Sequence, residues 1–406
     1  MSLSKHNKNS HDFPEELWSE IFKRLPVKYV LRCGAVQKSW YSLIKSPLFI
    51  SLYSNYQKLT AHLNPKYLLF HDTSNQEITL RYDDAQCQEY CTFDYPLDLP
   101  AWSWCEQSNG LMCFSTMFDK EFDYNPDIYI WNPLVQKFKT VPDSPIETIT
   151  FEESKWNALA FGFLPDVNDY VVVQIVKPSS TSAPDFFEHD YEEYPHSVVI
   201  GVYSLNSNSW KKICQDKVFV DDMCVDQSVF VNGTAFWVGF NSYSLDQLVM
   251  YFDTKTNLLG KIVVPGYIAF DERHLESPLI LPFSQSIGYF EVNEDDQEEG
   301  DGDYVYPHLD IWVLKDDMVG EFSWKKKMSV SLGKNVWAKV LGIRNNGEPI
   351  LEKSNGLIAY DLDTHEPYDF IESCDRLTPC YSYEKGSKLP FVISPFQETL
   401  VLFDMD

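Results

Sequence analysis

A chain of 406 residues, 44% hydrophobic and 15% aromatic, has material for a sizeable core and suits two or more domains or one large ring of strands. A net charge of −27 opposes nucleic-acid phosphates and anionic membranes, and nine scattered cysteines fit reduced thiols better than a disulfide or zinc framework. No stretch approaches the roughly 18 apolar residues of a membrane span, and the polar opening MSLSKHNKNSHD is no signal peptide, so a soluble protein of the cytoplasm or nucleus is expected.

Residues 1–11 read as a disordered start, and the first organised segment spans 12–50. Pro14 suits the opening turn of a helix, with Glu15 and Glu16 where the dipole favours negative charge. Leu17, Ile21 and Leu25 form one stripe, and Pro26 ends that helix. A second helix is expected from about Lys28 to Cys33, carrying Val30 and Leu31 and stopping at Gly34. A third opens near Ala35 with Val36, Trp40, Leu43 and Ile44 on one face until Pro47 breaks it. Three short helices bearing this many large apolar side chains cannot stand alone, since chains below roughly 40 residues need a partner or a staple.

The string FPEELWSEIFKRLP followed by LRCGAVQKSWYSLIKSPLF resembles the F-box, with Phe13 in place of the usual opening Leu and Gln37 where a small residue is common. The resemblance implies docking on a Skp-type adaptor and, through it, on a cullin ubiquitin ligase. The adaptor-binding residues it implies are Pro14, Leu17, Ile21, Leu25, Pro26, Val30, Leu31, Val36, Trp40 and Leu43.

Residues 51–65 read as a linker with a short helical piece. From residue 66 to 406 the dominant period is two, without a convincing helical run. A unit recurs in which an apolar strand ends in an aromatic residue, a polar turn follows and a second strand begins, with anchors at Trp131, Tyr203, Tyr251, Trp312 and Tyr360. Asn109-Gly110 and Asn232-Gly233 are hairpin turns, and Asn132, Asn206, Asp253 and Asp361 are expected to hold turns through side-chain bonds to backbone. If segments 67–83 and 390–404 pair, the carboxyl-terminal strand closes a ring and removes its exposed edges. The expected fold is α+β and multidomain: a small three-helix F-box followed by an all-β propeller of about six or seven blades.

NGLMCF with IWNPLVQKF, AFGFLPDVNDYVVVQIV, VYSLNSNSWKKI, VFVNGTAFWVGF and NGEPILEKSNGLIAYDLDT together look like the F-box-associated domain of plant F-box proteins. Neither the Gly-Gly doublet of kelch repeats nor the Trp-Asp pair of WD repeats marks the repeating units. Some similar proteins are pollen-side receptors for basic stylar ribonucleases at the self-incompatibility locus.

Charge is unevenly placed. Residues 1–50 carry eight Lys/Arg against four Asp/Glu, and the remainder carries 25 against 56, which puts a basic helical module on an acidic body. Two acidic insertions stand out. In 179–196, Phe186, Phe187 and Tyr191 alternate with Glu188, Asp190, Glu192 and Glu193, the composition of a protein-binding loop. Segment 291–303 has eight acids and no base, and reads as a disordered or extended stretch that either attracts a basic partner or is a solvated tip, the tip being favoured. Trp102, Trp104, Trp156, Trp237, Trp312 and Trp337 read as core side chains. His189 and His196 are the one weak hint of a cation site, and no phosphate loop, nucleophile elbow or metal-ligand spacing occurs, so no catalytic residue, metal or cofactor is expected.

The expected function is non-catalytic: substrate recognition within a Skp–cullin–F-box ubiquitin ligase, the acidic propeller holding a target protein, with a basic one such as a self-incompatibility ribonuclease as a candidate. The alternative is a non-degradative protein- or glycan-binding propeller with an F-box. Neither nucleic acid nor membrane is an expected partner.

Overall fold

The computed structural model describes residues 13–60, 66–72, 77–96, 104–116, 127–146, 154–178, 196–218, 222–240, 247–265, 279–293, 308–316, 322–332, 336–353, 356–371 and 391–404. The expected disordered start at 1–11 lies outside them. Four helices come first, the three expected of the F-box and a fourth that begins earlier than the short helical piece expected in 51–65: α1 (Glu15–Phe22), α2 (Val27–Gly34), α3 (Lys38–Lys45) and α4 (Pro47–Leu59). Pro47 does end α3, but it is also the first residue of α4, where its missing N–H costs nothing. The Ser46 hydroxyl caps that helix by accepting the Phe49 N–H at 3.2 Å. Most of the expected linker is therefore helix. Gly34 is the last residue of α2 instead of its stop, and α3 begins only after the extended Gln37.

α4 braces the other helices. The Tyr53 hydroxyl donates to the Leu25 carbonyl at 3.0 Å and the Gln57 side-chain amide to the Lys23 carbonyl at 3.2 Å. Phe22, Val27, Val30, Ile44, Phe49 and Tyr53 are buried in one cluster with Tyr67, Leu80, Met112 and Trp131 of the β body. The helical module thus finds half of its cover within the chain.

Among the described residues the β body is a ring of six four-stranded antiparallel blades, two of which, the first and the last, are joined by one parallel contact into an eight-stranded sheet. Blade 1 holds β1 (Tyr67–Asp72), β2 (Glu77–Tyr82) and β3 (Glu89–Asp94), and blade 2 holds β4 (Trp104–Ser108), β5 (Leu111–Ser115), β6 (Ile128–Asn132) and β7 (Lys137–Thr140). Blade 3 follows as β8 (Ser154–Leu164), β9 (Asp169–Pro178), β10 (His196–Ser204) and β11 (Ser209–Val218). Blade 4 comprises β12 (Asp222–Val231), β13 (Thr234–Phe240), β14 (Gln247–Asp253) and β15 (Leu258–Val263). Blade 5 comprises β16 (Leu279–Phe283), β17 (Ser286–Asn293), β18 (His308–Asp316) and β19 (Phe322–Ser331). Blade 6 contains β20 (Val336–Ile343), β21 (Pro349–Lys353), β22 (Gly356–Tyr360) and β23 (Pro367–Ile371), and β24 (Phe391–Phe396) returns to complete blade 1.

β24 pairs antiparallel with β1, Tyr67 opposite Phe396 and Asp72 opposite Phe391, so the ends of the β body meet as the sequence implied. On its other side β24 touches β20 where Gly342 faces Ile393. A Cβ on Gly342 would lie 1.7 Å from the Ile393 carbonyl oxygen, so only glycine lets these two inner strands approach. The same seam is bolted by polar groups. Arg344 Nε meets Asp83 Oδ1 at 2.7 Å, and the other Asp83 oxygen accepts the Asn345 backbone N–H at 3.0 Å and its side-chain amide at 2.8 Å.

The recurring sequence unit is the outer hairpin of each blade from 2 to 6. Asn132, Asp253 and Asp361 each accept two backbone N–H groups of the following turn, as expected. Asn206 does not. In that hairpin Ser204, directly after Tyr203, accepts the Ser207 N–H, and Asn206 instead donates across to the Asn168 carbonyl. Asn109-Gly110 and Asn232-Gly233 have φ of 46°, 85°, 51° and 88°, the positive pairs that a two-residue hairpin requires.

Strand direction divides the connections between two faces. The tight turns, such as 109–110, 165–168, 205–208, 232–233 and 254–257, lie on one face, with the end of β24 and the start of β1. The helical module sits on this face, where Lys58 of α4 donates to Asn168 Oδ1 at 3.0 Å. Connections 117–126, 179–195, 266–278, 294–307 and 372–390 all leave from strand ends on the opposite face.

Glu106 ties three inner strands together. Its Oε2 accepts the Phe161 N–H of β8 at 2.7 Å and the Ser228 hydroxyl of β12 at 2.8 Å. Burial nevertheless pushes its carboxyl up to about 8. The folded state therefore holds a proton there that an unfolded chain releases near the ordinary carboxyl range. The resulting stability is complete below that range and is lost as pH rises through about 8. Thermal unfolding of Glu106→Gln, which keeps an acceptor oxygen, is expected to depend less on pH than the native protein by about one proton between pH 5 and 8. Breaking the seam by Arg344→Ala should cost about 3–5 kcal/mol, because it leaves the buried Asp83 carboxylate without its counter-charge; denaturant titration measures this.

Candidate docking face of the helical module

Two members of the expected stripe, Leu17 and Ile21, lie on α1 and face outward, whereas Leu25 falls beyond the helix end. Leu17 and Ile21 are each 46% exposed, Phe13 at the helix entry is 61% exposed, and Pro14 is exposed beside it. Val36, in the connection between α2 and α3, is 70% exposed, and Leu48 at the start of α4 is 80% exposed. Beneath the stripe lies a stack of rings: Trp18 sits 4.5 Å from Trp40 and 5.6 Å from Phe22, with Phe22 5.2 Å from Trp40 between centroids. This backing stiffens α1 without covering its outer side.

The other residues named from the F-box pattern divide by depth. Leu25, Pro26, Leu31 and Trp40 are half-buried. Val30 and Leu43 are buried in the core shared with the propeller, so in this arrangement they support the face instead of forming it. The exposed Tyr29, Tyr41 and Leu48 were missed by pattern reasoning. Their signal was the end of each apolar stripe, which periodicity alone assigns to neither side.

Charge around the face is positive. Glu20 meets both Lys23 and Arg24, the latter at 2.9 Å, and these bonds hold its carboxyl below the usual range. The Lys23 ammonium and Arg24 guanidinium also lie over Tyr56, 5.1 and 5.5 Å from its ring. The Arg32 guanidinium lies over Tyr29 at 5.6 Å.

The candidate target-binding residues Phe186, Phe187, Glu188, Asp190, Tyr191, Glu192 and Glu193 lie outside the described residues. So do Trp102 and the side chains of Trp104, Trp156, Trp337 and His196. Trp237 is core, donating its indole N–H to the Leu159 carbonyl at 2.9 Å, and Trp312 is half-buried under Lys326. No tryptophan whose side chain is described is exposed. Among the described residues no group of three or more His, Cys, Asp or Glu side chains is arranged to hold a metal ion. Cys87 and Cys91 are separate thiols that burial pushes up to about 12, which makes them inert at neutral pH.

Helices with an open apolar stripe, seated on the tight-turn face of a six-bladed ring, define a docking module joined to a propeller. Comparison with known proteins agrees. An F-box domain matches residues 10–52, and an F-box associated beta propeller domain matches residues 58–359. The chain belongs to the family of F-box proteins with an F-box-associated propeller. It is similar to three proteins of Arabidopsis thaliana. With F-box/kelch-repeat protein At3g23880 it is 23% identical over 86% of this chain and 88% of the relative. With F-box protein At1g47340 it is 23% identical over 91% and 74%, and with F-box protein At5g49610 26% identical over 56% and 58%. The last match spans less than two thirds of the relative. Among solved structures, TolB from Acinetobacter baumannii aligns at a TM-score of 0.38 with 11% identity, covering 79% of this chain and 68% of that one, which is too distant to carry an argument.

Depth separates two substitutions. Leu17→Asp should leave stability within about 0.5 kcal/mol of native. Leu25→Asp, half-buried against the shared core, should cost at least about 2 kcal/mol. Thermal unfolding of the two variants side by side checks the assignment.

Proposed function

We propose that this protein is the substrate-recognition subunit of a Skp–cullin–F-box ubiquitin ligase. The F-box docks on a Skp-type adaptor through Phe13, Pro14, Leu17, Ile21 and Val36, with Leu25, Pro26, Leu31 and Trp40 at the edges of the contact, and the propeller holds a target protein. The observation that carries this reading is the two-sided character of the helices: one side is sealed on the propeller, and the other keeps a row of large apolar side chains in water. Burying each of these at roughly 1.5–3 kcal/mol supplies a workable interface before association entropy is subtracted.

Target binding is assigned to the face opposite the F-box. The long connections belong to that face, and three of them, 141–153, 179–195 and 294–307, carry four, five and seven acids with no Lys or Arg. A field of this sign speeds the approach of a basic protein and disfavours polyanions. The protein supplies no reacting group in this role. It raises the local concentration of target lysines beside the ubiquitin-charged enzyme.

Leu17→Asp and Ile21→Asp, each folded, should lose co-purification with the adaptor by at least about tenfold, the cost of one buried aliphatic side chain. Retention of full adaptor binding by both would end the docking model. Affinity for a basic target should fall steeply with ionic strength, and a salt-independent affinity would remove charge as the basis of selection.

A further inference from the structure

After β24 ends at Phe396 the chain leaves the sheet and runs, as Gln397–Asp404, along the boundary between helices and ring. It is anchored first to the ring. Asn132, fully buried at the end of β6, donates its side-chain amide to the carbonyls of Thr399 at 2.9 Å and Val401 at 2.8 Å. The Gln397 carbonyl oxygen lies so close to Gly110 that a Cβ there would be 2.1 Å away, and Gly110 has φ +85°. Leu400 is fully buried in the core common to both modules.

From this anchored stretch two side chains reach the helices. Glu398 Oε2 accepts the N–H of Val27 at 3.2 Å, the first residue of α2, where no intrahelical acceptor is available and the dipole favours a carboxylate. Its other oxygen accepts the Tyr90 hydroxyl of β3 at 3.0 Å. Phe403 meets Tyr41 of α3 edge to face at 5.8 Å. The Tyr90 ring packs against Tyr67 of β1 at 4.8 Å and Tyr82 of β2 at 5.5 Å, and Lys28 of α2 stacks on it at 5.2 Å.

We infer that Gln397–Phe403 is a clasp that sets the orientation of the F-box on the propeller, with Glu398 as the positioning residue. The shared apolar core supplies adhesion, which is non-directional. The clasp supplies direction, because it joins α2 and α3 to blades 1 and 2 at defined atoms. Its value to a ligase rests on the function proposed above, since a target on the far face would then stand at a set distance from the adaptor. The coupling itself is testable without any partner.

The experiment uses the full chain with genetically encoded fluorophores at the exposed positions Ser39 and Thr140, and reads the distribution of distances between them by energy transfer. The native protein and Glu398→Gln, which retains both an acceptor and a polar partner for Tyr90, should give one narrow distribution. Glu398→Ala combined with Phe403→Ala should broaden it severalfold while the thermal transition of the propeller stays in place. A distribution as narrow as native in the double variant overturns the clasp. So does broadening accompanied by loss of the propeller transition, which would make the segment part of the ring's fold alone. Failure of adaptor binding in a separate assay would leave this result standing, so the two readings fail independently.

Discussion

Pairing of Tyr67–Asp72 with Phe391–Phe396 is the contact on which the rest of the molecule depends. It joins the first and last strands of the β body into one blade, and without it blade 1 would lose its inner strand and blade 6 its neighbour at Gly342. Closure also removes the exposed inner edges along which propeller blades would otherwise associate with other chains. Because the segment beyond β24 carries Glu398, Leu400 and Phe403, the same closure that completes the ring brings the clasp against the F-box. One strand pairing therefore governs both the circular core and the seating of the helices.

The division of labour between the two faces follows from strand direction. Inner strands run toward the F-box face, and among the described connections there several are hairpin turns held by Asn-Gly pairs or by Asn, Asp or Ser side chains. Those turns also bond to one another between blades, as in the pairing of Lys255 with Asp166 at 2.6 Å and the bond from Asn232 to the Gln285 carbonyl at 2.6 Å. The result is a stiff platform under the helices. The opposite face receives the long acidic connections, where length and sequence can vary without disturbing strand register.

The sequence made the outer hairpins legible because each combines alternation, an aromatic strand end and a turn-forming side chain within about fifteen residues. Ring closure was legible for the same reason, since 67–83 and 390–404 read as unmatched ends. The start of α4 was not, because Pro47 carries two opposite meanings, helix breaker and helix opener, and only the Ser46 cap decides between them. The depth of Val30 and Leu43 was not legible, because these short helices are packed on one side by the propeller and open on the other, so apolar periodicity marks both sides alike. Glu398 carries no signal in sequence at all: a single carboxylate in a short turn acquires its role only from the backbone N–H that folding places beside it.

The clasp also imposes an order on biogenesis. The F-box helices precede the blades in the chain, and the strand and clasp that seat them are made only after all six blades have their other strands. Until then the helices lack their directional hold and the ring has a gap. A nascent chain arrested within the last blade would show chaperones both an oily helical surface and an open strand edge, so that full seating of the helices waits on the returning strand.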